Sequence, residues 1–111
     1  MKIETKDDYV LFSSNEEGDF HDFLDFFSTN HSKVAENNII IYLSSKLKVQ
    51  NSDLSLFLKY VDFHQENGTT FVLISPNVDV DSFPEYFNIV PTLQEAEDVL
   101  EMENIQRDLG F

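Results

Sequence analysis

The chain contains no cysteine, which excludes disulfides, thiolate zinc sites and thiol catalysis. Glycine is scarce, with three residues in 111. No Gly-rich loop opens a helix, so a phosphate cradle of the nucleotide-binding kind is absent. Long apolar runs are missing too: nothing approaches the ~20 residues that a membrane-spanning helix needs. The first ten residues, MKIETKDDYV, have no apolar signal core, and a cytoplasmic protein is expected. Basic residues are few, seven Lys and Arg against 21 Asp and Glu, for a net charge of −14. The imbalance is uneven, with six Lys against ten acids in residues 1–59 and one Arg against eleven acids in residues 60–111. Such a field opposes direct contact with nucleic acid and with anionic membrane surfaces. It leaves room for a basic partner surface, and its plainest role is solubility.

The chain does have apolar residues, at 41%, and eleven phenylalanines. That is enough for one globular domain over residues 1–111, with aromatic packing dominant in its core. Ile3 to Thr5 and Tyr9 to Ser13 read as short strands around an Asp7-Asp8 turn. Phe20, Phe23, Leu24 and Phe27 recur at helical spacing, and Asp19 is the expected N-cap of a helix reaching about Ser32. The β-branched run within Asn38 to Leu43 fits a buried central strand. A second helix is expected from near Ser52 to Asn67-Gly68, with Leu54, Phe57, Leu58 and Val61 facing the core and Ser52 as its cap. Leu56, Tyr60 and Phe63 form a second stripe on it, either covered by a neighbouring element or open to a partner. Thr70 to Ile74 is a further buried strand, Asp79 to Phe83 one helical turn, and Phe87 to Val90 a short strand. Thr92 and Glu95 make a T-x-x-E capping box for a last helix. Met102, Ile105 and Leu109 leave its core face, so its final turns are expected to bend or end separately. Strands alternating with helices give an α/β fold: one mostly parallel sheet of four to five strands with flanking helices, the first strand antiparallel at an edge.

Catalytic and metal motifs are not found. His21, His31 and His64 show no H-x-E, H-E-x-x-H or H-x-H spacing. The H-x-H-x-D-H motif of metallo-β-lactamase-class nucleases is also absent, so the sequence supports no ribonuclease of that class. Asn77, Asp79 and Asp81 begin like a calcium loop, but Ser82 and Asn88 stand where glycine and glutamate are required. The expectation is no catalytic residue, no metal and no cofactor.

Ile41-Tyr42-Leu43-Ser44-Ser45, then Gln50-Asn51-Ser52-Asp53-Leu54, follow the spacing of an apolar strand, a polar turn and an Asp-Ser-Ser-Gly-Leu helix start. Asn67 to Ile74 looks like a glycine turn and the strand after it, and Ile89 to Ala96 like a last strand and a Thr/Ser-x-x-Glu-Ala helix start. In these segments the chain resembles the STAS family, the sulfate-transporter and anti-sigma-factor-antagonist domain. The resemblance implies a STAS-like sheet and a bacterial protein that binds a regulatory, kinase-like or other protein partner without catalysis. In that family the serine after the motif aspartate accepts phosphate. Here the position is Asn51, Gln50 replaces the aspartate, and only Ser52 remains as a phosphate acceptor. By resemblance the docking surface comprises Lys46, Lys48, Asn51, Ser52, Asp53, Leu56 and Tyr60, with Leu56 as anchor. Two other readings stand beside it. One is a small-ligand binder or enzyme using the sheet's C-terminal crevice near Ser44, Ser45, Ser75 and Asn77. The other is an acidic decoy that occupies a nucleic-acid-binding protein.

Overall fold

The computed structural model describes residues 1–76 and 78–110. Among these residues five strands form one sheet: β1 (Lys2–Thr5), β2 (Val10–Ser13), β3 (Ile39–Tyr42), β4 (Phe71–Ile74) and β5 (Asn88–Val90), in the spatial order of the chain. β1 runs antiparallel to β2 at one edge, and β2 through β5 are parallel. The two apolar runs pair directly, Ile39 with Phe71 and Ile41 with Leu73. They are the sheet's centre because they are buried on both faces, which suits continuous β-branched sequence.

The pleat sends alternate side chains to opposite faces. Val10, Phe12, Ile39, Ile41, Phe71 and Leu73 pack under α1 (Phe20–His31) and under the segment formed by α2 (Asn51–Leu54), a 3-10 turn at Ser55–Phe57 and α3 (Leu58–Glu66). Tyr9, Leu11, Ile40, Val72 and Ile74 pack under α4 (Leu93–Asp108). Asp19 caps α1 by accepting the His21 N–H at 2.9 Å. Phe20, Phe23 and Phe27 are then buried one turn apart, each contributing about 1.5–3 kcal/mol of burial. Phe27 is the hub: its ring meets Phe12 and Tyr60 edge-on at 4.8 Å and Phe57 at 5.7 Å.

Three local expectations change. α2 starts one residue before Ser52, with Gln50 as N-cap, so Ser52 is inside the first turn and is not the cap. The Asp53 carboxylate reaches back to accept the Gln50 N–H at 3.0 Å instead. The second helix is also interrupted by the 3-10 turn at 55–57. α4 does not end early or split; it is one continuous helix to Asp108. Its inward face simply changes from apolar to polar. Glu103 accepts from Thr70 Oγ1 at 2.7 Å and from Asn88 Nδ2 at 3.0 Å, while Arg107 donates to Thr70 Oγ1 at 3.0 Å. Met102, Ile105 and Leu109 therefore lie on the outer side.

Candidate functional site

The crevice residues singled out from sequence follow the C-terminal ends of β3 and β4. The loop after β3 is tied to the loop after β2. The Ser44 N–H donates to Ser14 Oγ at 2.8 Å, and Ser44 Oγ donates to the Glu16 carbonyl at 3.0 Å. Ser44 is thus spent on joining two loops. Ser45 is exposed, the Ser75 N–H donates to the Val90 carbonyl at 3.0 Å, and Asn77 lies outside the described residues. A cavity at this end, bounded by Ser14, Asp19 and Leu47, holds about 50 Å³, well below the ~300 Å³ at which small-ligand pockets begin.

Around α2, Lys46, Lys48, Asn51 and Ser52 are exposed, and Leu56 is 42% exposed. Lys46 Nζ stands 3.8 Å from Glu16. Asn51 Nδ2 approaches Ser82 Oγ at 3.4 Å. Asp53 is half-buried, held by its cap and 3.9 Å from His21 Nε2. Tyr60 differs from the rest: its ring packs on Phe27 and His31, and its hydroxyl shares a 2.7 Å hydrogen bond with Ser28 Oγ. It supports the surface from below. The stripe Leu56, Tyr60, Phe63 is therefore split, with its ends exposed and its middle turned inward.

The feature that sequence spacing missed is a histidine pair. His31 Nε2 and His64 Nε2 are 2.8 Å apart, and His64 Nδ1 is 2.7 Å from Thr69 Oγ1. Phe27, Tyr60, Phe63 and Phe71 surround them. Burial lowers the pKa of His31. Burial, then the neighbouring His31, lowers that of His64 to about 4. The signal was helical phase: His31 extends the Phe20–Phe23–Phe27 stripe and His64 the Leu54–Phe57–Val61 stripe. Among the described residues no three His, Cys, Asp or Glu side chains converge as a metal-ligand group. The pair acts as a hydrogen bond joining the ends of α1 and α3.

On the other face, Tyr9 donates its hydroxyl to Glu97 at 2.9 Å. Burial, then that bond, pushes its pKa up to about 12. No helix among the described residues is long and apolar enough to cross a membrane.

Neither a protein-family model nor a curated protein matches the chain.

Proposed function

We propose that the chain is a non-catalytic, STAS-like interaction module that holds a regulatory protein partner against the start of α2. The observation that carries this reading is Leu56: a large apolar side chain left 42% exposed, one turn beyond exposed Asn51 and Ser52 and on the same segment of chain as Lys46 and Lys48. An apolar anchor inside a polar rim is the usual anatomy of a protein contact. Neighbouring groups that would serve catalysis are engaged elsewhere: Ser44 joins loops, Asp53 caps α2, and Tyr60 braces the core. The sequential sheet with an antiparallel first strand supports the STAS-like reading. Asn51 has an amide where that family carries its phospho-acceptor, so no phosphate switch operates at that residue, and Ser52 is the acceptor left on this surface.

The test is affinity capture from the source cell with wild-type chain, Leu56→Asp, Ser52→Glu and, as a control at an exposed residue away from both α2 and α4, Lys33→Glu, each checked for fold by circular dichroism. The expected result is a defined protein recovered by wild type and Lys33→Glu and lost with Leu56→Asp. Recovery unaffected by Leu56→Asp and Ser52→Glu counts against the assignment.

A further inference from the structure

A second surface, independent of the α2 face, lies along the outer side of α4. Met102, Ile105 and Leu109 are 62%, 52% and 66% exposed. They fall three and four residues apart, so they form one stripe. Beside the stripe runs a groove of about 350 Å³ with Tyr9 in its lining and Ile105 on its wall, bordered by Asp8, Glu101 and Asp108. Among the described residues none of these three carboxylates is in an ion pair. Solvation alone accounts for acids on a helix, but not for three large apolar side chains set beside them.

The charge selects the occupant. A second copy would bring its own −14 against this one, and like charges in contact oppose association. An anionic lipid surface is repelled for the same reason. A helix with apolar residues on one side and Lys or Arg on the other satisfies both features of the groove. We propose that the outer face of α4, with the β1–β2 turn, is a docking site for a basic amphipathic helix of a partner protein. Met102, Ile105 and Leu109 take its apolar side, and Asp8, Glu101 and Asp108 take its cations.

The test is an NMR titration of the isotope-labelled full chain with two synthetic probes of equal charge: a Leu/Lys amphipathic helix and a Ser/Lys peptide. The Leu/Lys helix is expected to shift resonances of α4 and the β1–β2 turn and to bind at least about tenfold more tightly than the Ser/Lys peptide. Met102→Asp and Ile105→Asp each weaken it about tenfold, Glu101→Lys weakens it mainly at low salt, and Leu56→Asp leaves it unchanged. Equal binding of the two probes, shifts centred elsewhere, or wild-type affinity in both α4 variants overturns the proposal. So does sedimentation showing that the chain dimerises through this face and that Met102→Asp makes it monomeric. All substituted side chains are exposed, and thermal unfolding verifies that the variants fold.

Discussion

Two imidazoles are tolerated side by side in an apolar site only while both are neutral, because a buried charge without a counter-charge is costly. The bonds at His31 and His64 fit one arrangement of protons. Thr69 Oγ1 donates to the His64 carbonyl at 3.3 Å and accepts from His64 Nδ1. His64 Nε2 is then the acceptor for His31 Nε2–H. Since the folded His64 pKa is about 4 against an ordinary 6.5, the unfolded chain binds more protons between those two values. Stability from this group is complete above pH 6.5 and is lost as pH falls toward 4, a change of about 3 kcal/mol. Urea unfolding across that window should show the decline, and a midpoint that stays level from pH 7 to 5 would contradict it. His64→Leu alone strands the His31 donor and should cost about 1–3 kcal/mol. His31→Leu with His64→Leu should cost less than the two singles together and remove the slope. The apolar stripes leading to these histidines were legible in the sequence. Their meeting was not, because it joins positions 33 apart and no local spacing rule reaches that far.

At the scale of elements, helix starts were legible wherever a side chain acts within its own turn. Asp19 and Thr92 cap α1 and α4 as the local pattern requires, but among the described residues the Glu95 carboxylate makes no return bond to Thr92, so the expected box is only half formed. The start of α2 was misread because Ser52 has the right chemistry, while Asp53, three residues after Gln50, makes the bond that holds the turn. Asp53→Ala should therefore lower stability by about 1 kcal/mol, and Ser52→Ala should stay within about 0.5 kcal/mol of wild type. The opposite ranking in thermal melts would restore Ser52 as the cap. The polar end of α4 was illegible for another reason. Glu103 and Arg107 look like solvated helix charges until β4 and β5 bring Thr70 and Asn88 beneath them. Glu103→Ala leaves Thr70, which is buried, without its acceptor and should cost about 1–3 kcal/mol, visible as a lower urea midpoint with an unchanged slope.

Over the whole molecule, the alternation of strands and helices made the parallel sheet legible, since parallel neighbours require long crossovers. Charge acts at the same scale. The chain carries −14 within a body of 41 × 31 × 24 Å. At about 0.01 M salt the screening length is ~30 Å, so most carboxylates feel one another across the fold, whereas at about 0.15 M it is ~8 Å and only near neighbours interact. Folding concentrates this repulsion, because the extended chain holds the same charges farther apart. Added sodium chloride should therefore raise the urea midpoint steadily over that range at neutral pH. The effect should be concentrated in residues 60–111, where eleven acids face a single Arg already committed to Thr70 and Asn104. Glu101→Lys should raise the midpoint at low salt and lose its advantage at high salt, and Lys59→Glu should do the reverse. A midpoint that is flat or falls with salt would mean that the carboxylates are held by favourable local contacts rather than by tolerance of their mutual repulsion, and the acidic border of the α4 groove would then have no surplus charge to offer a partner.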